Sequence, residues 1–489
     1  MLFGLGLASN ALAAMFVSQP GYVDAYYYFG GAKQLARGLG FTEPYLWNYL
    51  APRVSQVPGL ARWPSHLYWM PLVSIFAAPF MAAAERLTGA SLSNAALFRA
   101  AQLPCIMLAS LLPLSSYGVA WLITGRRRHA VAAGLLTLFS AFYFVFWTTT
   151  DAFALFGLLA SGALVAAGLA QLQPAHGLRW LFVAGLASGL AHLARADGVL
   201  VLACLVVWVA ANRAYSSGWR GSLSAVVVVV AGYLLVMAPW YWRNWVVVGA
   251  PLAPGTGHAL WLTNYDDLFA FPADRLTLAA YLAWGLGAIV SSKLSALQAN
   301  LATVVAVQCG VVGFPFVLVG LWRTRANPVS RLATFYAASL LGAMTLLFTF
   351  PGARGGYFHS GAALLPFFMP AAVIGLDATV DWAARFLPHW QPEKSKPIFT
   401  GLLIGFAAAL TLGLFWVRVV GNDPHGDTNT LNRATAAFGA GWVVLDVNRP
   451  APLSGLYAAP LSDPRLHLMA SFMDHTGQPV YLFEIGPSS

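Results

Sequence analysis

Long apolar runs separated by short polar intervals extend through most of the chain. A helix needs about 20 apolar residues to cross the hydrocarbon core of a bilayer, and many of these runs approach that length. Because the backbone must satisfy its own hydrogen bonds inside lipid, each run is expected to be helical. The pattern predicts an all-α polytopic membrane protein with about eleven transmembrane helices: a run from Leu2, then 95–124, 130–147, 151–171, 180–194, 198–212, 222–239, 301–322, 332–350, 360–376 and 397–417.

Basic residues in the short polar intervals orient these helices. The cluster Arg126-Arg127-Arg128-His129 is expected on the cytoplasmic side. Alternating the spans places the other short basic intervals on the same side, with a cytoplasmic N-terminus and an extracytoplasmic C-terminus. The alternation holds only if Leu67–Ala84 and Leu276–Ser292 lie on the outer surface and do not span. The segment Ala11-Leu12-Ala13 resembles a cleavage site, but the uncharged start favours a first transmembrane helix over a signal peptide.

The interval 18–94 is then the first extracytoplasmic loop, and its pattern predicts two helices lying on the outer surface. In the first helix, Asp24, Tyr28, Gly31 and Leu35 fall at the spacing that places them on one face. Leu67–Ala84 is the second. An aromatic and amphipathic segment of this kind suits the membrane boundary, so Asp24 is expected to lie there.

The tail differs in character from the rest of the chain. Residues 1–417 are predicted to form the transmembrane domain, and residues 418–489 a small extracytoplasmic α/β cap. The pattern in the cap predicts strands at Trp442–Val447 and Pro479–Ile485, and a short helix near Arg465–Met473.

Composition supports the membrane assignment and excludes other classes. Hydrophobic residues make up 59% of the chain and charged residues 9%, against about 25% charged residues in soluble domains. The net charge of +10 comes from scattered arginines, which favours a topology signal and attraction to anionic lipid headgroups over nucleic-acid binding. Cys105, Cys204 and Cys309 stand singly in apolar runs, which excludes a disulfide framework, a CxxC pair and a cysteine-based zinc site.

Polar residues that this topology gathers on the outer side are the candidates for chemistry, because charges in an apolar chain need protein or water around them. Asp24 and Asp151 are carboxylates beside separate spans, and Arg243 and Arg354 lie beside others. A carboxylate can remove a proton from a hydroxyl, and an arginine can bind a phosphate leaving group. The set suits transfer from an activated phosphosugar. The candidates for substrate binding are Tyr28, His66, Tyr68, Tyr357 and His359.

Each candidate also has a structural interpretation. Asp24 and Asp151 could cap the helices that follow them. Arg195 and Asp197, in the sequence RADG, are expected to form an ion pair that closes a turn. The remaining candidates could bind lipid headgroups or serve only packing and hydrogen bonding: Arg243, Arg354, His66, His359 and Tyr357.

Six segments carry a resemblance to a known family through their order and spacing. They are VDAYYYFGGAKQLARGLGF, PSHLYWMPL, TTTDAFALF, LARADGVLVL, PWYWRNWVVVGAP and the basic aromatic turn before LLPFFMP. In this order they resemble the polyprenyl-phosphate-dependent glycosyltransferases of the GT-C fold. The similarity is greatest to glycosyltransferase family 39, the group related to protein O-mannosyltransferases and aminoarabinose lipid A transferases.

The resemblance implies a sugar transfer with inversion, with no cofactor and no metal. By position, Asp24 is the base, Asp151 the second acid, and Arg243 and Arg354 bind the phosphate of the donor. The implied partners are a polyprenyl-phosphate sugar, membrane lipids and an extracytoplasmic acceptor that is a lipid, glycan or protein. No nucleic acid is expected, and the location is the plasma membrane.

Three departures leave the acceptor open. Asp24 is followed by Ala25 where many protein mannosyltransferases have a second acid, and Ala196 stands where the family often has proline. The WWDYG signature of oligosaccharyltransferases is absent from the sequence. Two other functions remain: a polytopic lipid or glycolipid transporter, and a catalytically silent scaffold of the same fold. A transporter would need polar residues inside the spans, whereas polar residues here concentrate on one face.

Overall fold

The structure, a computed structural model, describes residues 1–43, 50, 63–212, 219–253, 255–269, 273–387, 389–421, 442–446, 466–473 and 479–485. Helices dominate these residues. The α-helices are α1 (Leu2–Phe16), α2 (Val23–Ala36), α3 (Leu72–Thr88), α4 (Asn94–Thr124), α5 (Arg127–Leu138), α6 (Phe153–Leu172), α7 (Gly177–Ala194), α8 (Val199–Ala211), α9 (Trp219–Val248), α10 (Leu278–Ala283), α11 (Leu286–Thr303), α12 (Phe314–Arg323), α13 (Pro328–Gly342), α14 (Thr349–Pro351), α15 (Tyr357–Gly361), α16 (Leu365–Ala383) and α17 (Pro392–Phe415).

Wider and narrower helical turns interrupt or extend several of these helices. The π-helical turns are Val304–Gln308, Ala343–Leu347, Gly352–Gly356 and Trp416–Val420. The 3₁₀ turns are Ala141–Phe146, Pro174–His176, Ala196–Gly198, His258–Leu260, Tyr265–Phe269, Ala273–Arg275, Ala362–Leu364 and Ala384–Phe386. A π turn inserts an extra residue into the helical hydrogen-bond ladder. Such turns are rare and are frequently found at functional sites.

Helix length and composition support the predicted membrane fold. In the described residues, 8 helical segments are long and apolar enough to cross a membrane, and three shorter apolar helices accompany them. The long segments are Asn94–Thr124, Phe153–Leu172, Pro174–Ala194, Arg220–Val248, Leu286–Gln308, Pro328–Leu347, Thr349–Phe386 and Pro392–Val420. The shorter ones are Leu2–Phe16, Ala196–Ala211 and Phe314–Arg323. The all-α polytopic class is therefore confirmed.

Three details of the predicted spans are wrong. The run 130–147 is divided between α5 and a 3₁₀ turn, and neither is long enough to span. A candidate span begins at Leu286, so Leu276–Ser292 is not wholly a surface segment. The run 301–322 breaks because Gly310 and Val311 take left-handed backbone angles, with φ of 58° and 62°, which end one helix before α12 begins.

The two helices predicted in the first loop are present as α2 and α3. Phe29 of α2, Met81 of α3 and Phe98 of α4 share one buried apolar cluster, which holds the loop helices against the start of α4. α3 has 17 residues and is not among the candidate spans. The two helices of the first loop thus form a packed layer that can position side chains.

Glycines allow several helices of the bundle to approach closely. A Cβ added at Gly185 of α7 would lie 2.1 Å from the carbonyl oxygen of Val229 in α9. In the same way, a Cβ at Gly320 of α12 would lie 1.9 Å from the carbonyl oxygen of Ala371 in α16. Small residues at such contacts are typical of helix pairs packed in membranes, where close backbone approach supplies the attraction.

Two small sheets complete the described structure. In the first loop, β1 (Thr42–Glu43) pairs antiparallel with β2 (Trp63–Pro64). In the tail, β3 (Trp442–Asp446), β4 (Leu466–Met473) and β5 (Pro479–Ile485) form an antiparallel sheet in the order β3-β5-β4.

The short helix predicted near Arg465–Met473 is wrong. Leucine, methionine and alanine favour a helix locally, but β4 pairs along β5 from Leu466 to Met473, and pairing with a neighbouring strand overrides that weak preference. The strands predicted at Trp442–Val447 and Pro479–Ile485 are present, although Val447 itself lies outside the described residues. The division of the chain at residue 418 stays a prediction.

Candidate active site

Three residues from distant parts of the chain meet at the face that carries the first loop. Asp24 lies in the first turn of α2, Asp151 precedes α6, and His359 lies in α15. The imidazole Nε2 of His359 is 3.2 Å from Oδ2 of Asp151 and 3.8 Å from Oδ2 of Asp24. We call Asp24, Asp151 and His359 the acid cluster.

Local hydrogen bonds bring the two acids together. The Thr150 hydroxyl donates to the carbonyl oxygen of Ala25, at 2.7 Å, which ties the segment before α6 to the start of α2. The Tyr22 hydroxyl donates to Oδ2 of Asp151, at 2.6 Å, and the Ala152 N–H donates to its other carboxylate oxygen. Asp24 is not the cap of α2, because Tyr22 occupies that position and no side chain caps the helix.

The His359 ring is fixed from two sides. Its Nδ1 lies 2.9 Å from the carbonyl oxygen of Gly355, and its plane stacks on Phe153 with ring centroids 4.0 Å apart. A carbonyl oxygen can only accept, so Nδ1 carries the proton of this hydrogen bond. Nε2 is therefore directed at the two carboxylates, and the predicted role of His359 in substrate binding stays a prediction.

The two carboxylates differ in exposure and in pKa. The Asp24 side chain is 26% exposed and that of Asp151 is 0% exposed. Burial and the nearby Asp151 charge raise the pKa of Asp24. Burial also opposes ionisation of Asp151, but His359, Tyr22 and Arg195 outweigh it and lower the pKa of Asp151. Neighbouring carboxylates with opposite pKa shifts commonly divide acid–base roles between them.

The RADG turn joins this site to the bundle. Arg195 Nε donates to Oδ1 of Asp197, at 3.1 Å, so the expected ion pair is present. Ser360, next to His359, donates its hydroxyl to Asp197. The positive charge of Arg195 partly offsets the rise in the pKa of Asp24 and contributes to the lowered pKa of Asp151. The turn therefore contributes to the electrostatics of the acid cluster as well as to its framework.

Arg243, predicted to bind the donor phosphate, holds the first loop. Its guanidinium donates to the carbonyl oxygens of Ser65, at 2.8 Å, and Phe41, at 3.3 Å. It also lies 4.7 Å from the ring centroid of Trp240. The guanidinium is therefore engaged by backbone carbonyl oxygens of the first loop. The structure does not bring Arg243 into the acid cluster.

Arg354, the other residue predicted to bind the donor phosphate, is exposed. Its guanidinium is 5.4 Å from the ring centroid of Tyr265. Arg354 is in the π-helical turn Gly352–Gly356, whose Gly355 carbonyl accepts the hydrogen bond from His359. The side chain is thus open to an anionic ligand beside the site.

The four other predicted substrate-binding residues divide into two groups. Tyr68 is half-buried and packs against Trp69, with ring centroids 4.6 Å apart, and the Trp69 side chain forms a hydrogen bond with Asp24. Tyr28 and Tyr357 are buried, with 1% and 2% exposure. His66 is 2% exposed and supports the loop.

The buried surroundings of His66 explain its state. Its Nδ1 lies 2.7 Å from the Ser65 hydroxyl and its Nε2 lies 3.0 Å from the Ser74 hydroxyl. Burial and the charge of Arg243 lower the pKa of His66 to about 3. A neutral, fully bonded imidazole of this kind suits the structural interpretation.

Sequence reasoning missed three contacts of the acid cluster. Tyr22 donates to Asp151, Phe153 stacks on His359, and the Trp69 side chain forms a hydrogen bond with Asp24. Tyr22 and Phe153 each stand two residues from a predicted acid, which is the only signal that the sequence carries for them. Aromatic residues are frequent throughout this chain, so proximity in sequence does not single them out.

The acid cluster also has the donor set of a cation site. Asp24, Asp151 and His359 each offer one ligand atom, and these atoms lie within 4.8 Å of one another. A histidine that ligates a metal usually donates its other ring N–H to a carbonyl or carboxylate, as His359 does to Gly355. Two carboxylates and one imidazole could therefore hold a divalent cation, and the expectation of no metal stays a prediction.

Comparison with known proteins identifies the fold. No protein family model matches the chain. No curated protein matches it either. Among solved structures, the chain is similar to the oligosaccharyltransferase of Archaeoglobus fulgidus in complex with Zn and sulfate, with a TM-score of 0.52 and 14% identity over 84% of this chain and 53% of that one. It is also similar to ArnT from Cupriavidus metallidurans bound to undecaprenyl phosphate, with a TM-score of 0.49 and 14% identity over 86% of this chain and 77% of that one.

The similarity to the oligosaccharyltransferase establishes the class of fold. The chain has a GT-C-like membrane fold, as the sequence predicted, and it spans about half the length of the oligosaccharyltransferase. At 14% identity the likeness is one of fold alone. The closer resemblance to glycosyltransferase family 39 stays a prediction.

Proposed function

We propose that this protein transfers a sugar from a polyprenyl-phosphate donor to an acceptor hydroxyl at the face that carries the first loop. The observation that carries the proposal is the pairing of a reachable Asp24, whose pKa is raised, with a buried Asp151, whose pKa is lowered. A base must meet its substrate, and a raised pKa makes it a better proton acceptor. The fold, shared with a protein named as an oligosaccharyltransferase, supports glycosyl transfer.

The proposed reaction proceeds in one displacement. Asp24 accepts the proton of the acceptor hydroxyl while the hydroxyl oxygen forms a bond to the anomeric carbon of the sugar. The bond between that carbon and the phosphate oxygen breaks on the opposite face, which inverts the configuration. The polyprenyl phosphate leaves with the bonding electron pair, and a cation near the site stabilises its charge. Arg354 is exposed and available for this role, whereas Arg243 is engaged with the first loop.

The other residues of the site support the base. Asp151 stays ionised and, with His359 and Arg195, sets the charge around Asp24. Tyr68 is a candidate to contact a substrate at Asp24, because it is half-buried and packs against Trp69, the residue that hydrogen-bonds that carboxylate. We further propose that this face is extracytoplasmic, that the N-terminus is cytoplasmic and that the acceptor is a lipid, a glycan or a protein.

The first experiment tests Asp24. Purified protein in detergent is supplied with radiolabelled sugars on a panel of polyprenyl phosphates, with a membrane extract as the source of acceptor. Asp24→Asn should reduce transfer by about 100-fold or more, the range of general-base catalysis. The matched control is Asp381→Asn, a carboxylate that is 51% exposed and pairs with Lys396, and it should transfer normally. Retained turnover in folded Asp24→Asn protein would refute the base assignment.

The same assay should also test whether transfer requires a divalent metal ion. The structure of the oligosaccharyltransferase was determined with Zn and sulfate, and the acid cluster here offers three potential ligand atoms to a cation. Transfer that persists in EDTA would support the metal-free reaction implied by the family resemblance. Transfer that EDTA abolishes and a divalent cation restores would assign Asp24, Asp151 and His359 as ligands and overturn the metal-free proposal.

A further inference from the structure

A cavity outside the acid cluster lies along the first turns of α11. Its volume is about 390 Å³. The face of α11 that lines it combines small and hydroxyl side chains at the i, i+3, i+4, i+7 and i+8 spacing of one helix face. These residues are Ala288, Ser291, Ser292, Ser295 and Ala296. Thr263, Trp284, Thr349, Phe350 and Ala353 form the other walls, so the cavity offers hydroxyl groups together with apolar and aromatic surface.

A positive charge lies at the edge of this cavity. Lys293, which lies between Ser292 and Ser295 on α11, donates from Nζ to the hydroxyl of Thr349. Its Nζ is also 5.5 Å from the ring centroid of Tyr281. Within the described ranges, Lys293 has a hydroxyl partner but forms no ion pair with a carboxylate. A charged group inside a candidate span is costly unless an opposite charge or water accompanies it, so an anionic partner is expected.

Other features make the cavity more favourable for an anion. α11 begins after Gly285 without a side-chain cap, so the positive end of its dipole and its first free amides lie at Leu286, close to Ala288. Arg354 follows Ala353, which lines the cavity, and supplies a second cation nearby. The combination of cations, hydroxyls and apolar walls matches the phosphate and first isoprene units of a lipid phosphate.

Two short consecutive helical segments connect the cavity with the acid cluster. Ala353 lines the cavity, and Gly355 in the same π-helical turn bonds His359 through its carbonyl. His359 follows Ala353 by six positions, which would be about 9 Å in a continuous helix, and Gly355 is the non-helical residue in this segment. A phosphate bound in the cavity would therefore lie close enough to Asp24 for its sugar to reach the acid cluster.

We propose that Lys293 and this cavity bind the phosphate of the donor lipid. The inference rests on the proposed function, because that function supplies a polyprenyl phosphate as the ligand. It assigns the leading phosphate contact to Lys293 and leaves Arg243 with its contacts to the carbonyl oxygens of Ser65 and Phe41. Arg354 would then assist from the exposed side.

The test measures lipid binding separately from transfer. Undecaprenyl phosphate binding to the purified full chain is followed by native mass spectrometry, for wild type, Lys293→Gln and Lys293→Arg. Lys394→Gln is the matched control, because it removes the same charge from an exposed lysine at the start of α17. Phosphate-free undecaprenol and phosphatidylglycerol are the reference lipids.

A defined pattern is expected. Lys293→Gln should weaken undecaprenyl phosphate binding by about 10-fold or more, the effect of losing one charged hydrogen-bond partner. Lys293→Arg and Lys394→Gln should bind it nearly as wild type does. Undecaprenol should bind wild type and Lys293→Gln equally, since it lacks the phosphate.

Two results would overturn the inference. One is unchanged undecaprenyl phosphate binding in Lys293→Gln. The other is phosphatidylglycerol competing as well as undecaprenyl phosphate, which would mark a general phospholipid site. Failure of the proposed function would look different: no sugar transfer by wild type, with lipid binding that still depends on Lys293. If Lys293→Gln transfers sugar normally at limiting donor concentration, the inference fails and the proposed function stands.

Discussion

Replacing Asp151 with asparagine should move the acidic limb of the pH–activity profile of sugar transfer to lower pH. Asp24 must be ionised to act as the base, so activity is lost as the pH falls through the pKa of Asp24. Burial and then the charge of Asp151 raise that pKa. Asparagine has nearly the same shape as aspartate and removes the charge. The pKa of Asp24 should then fall, and activity should persist into more acidic buffer.

The size of this shift follows from the separation of the two groups. Their nearest ligand atoms are within 4.8 Å, and two unit charges at that distance interact by about 0.9 kcal/mol in bulk water and about 3.5 kcal/mol at an effective dielectric constant of about 20. Since one pH unit corresponds to about 1.4 kcal/mol, the acidic limb should move by roughly 0.6 to 2.5 units. The partial exposure of Asp24 favours the smaller value.

The assay is the transfer rate at saturating substrate across a pH series, with each variant normalised to its own maximum so that a lower rate does not hide the position of the limb. Asp381→Asn, which lies away from the cluster, should leave the profile unchanged. A limb that stays in place or moves to higher pH in Asp151→Asn would refute the assignment of Asp24 as the titrating base.

Two further predictions concern the framework of the site. Tyr22→Phe removes the hydroxyl that donates to Asp151, and it should lower the free energy of unfolding by about 1.5–3 kcal/mol near neutral pH. Because Asp151 has a lowered pKa in the folded protein, this loss should shrink in acid as the carboxylate is protonated; a difference independent of pH would contradict it. Gly31→Ala places a Cβ 2.5 Å from Cε1 of buried His66 and should cost about 1–3 kcal/mol. Gly118→Ala, with nothing within 4 Å of the new Cβ, should be neutral or slightly stabilising; equal melting temperatures of the two variants in detergent would show that the contact is not tight.

The sequence by itself determined the class of the protein and the order of its acids. Apolar length is a local property, so the runs around 95–124 and 151–171 correctly predicted helices long enough to cross a membrane. The predicted first-loop helices also form, as α2 and α3. Asp24 and Asp151 stood out because isolated carboxylates beside apolar helices are rare.

The tertiary structure decided which of these side chains meet. Asp24, Asp151 and His359 come together only because the Thr150 hydroxyl ties two elements and Phe153 orients the imidazole. Side-chain direction and long-range partners depend on how helices pack, and spacing along the chain does not encode that.

Packing likewise separated residues that looked alike in sequence. Arg243 and Lys293 are both basic residues in candidate spans. Arg243 meets two backbone carbonyls of the first loop, whereas Lys293 meets a hydroxyl at the edge of a cavity. The tail shows the same limit: β4 has local helix formers, but hydrogen bonds to β5 make it a strand. Local composition determines whether a segment is buried in lipid, and non-local contacts determine what each polar group binds, because a polar group's free energy depends on its partner.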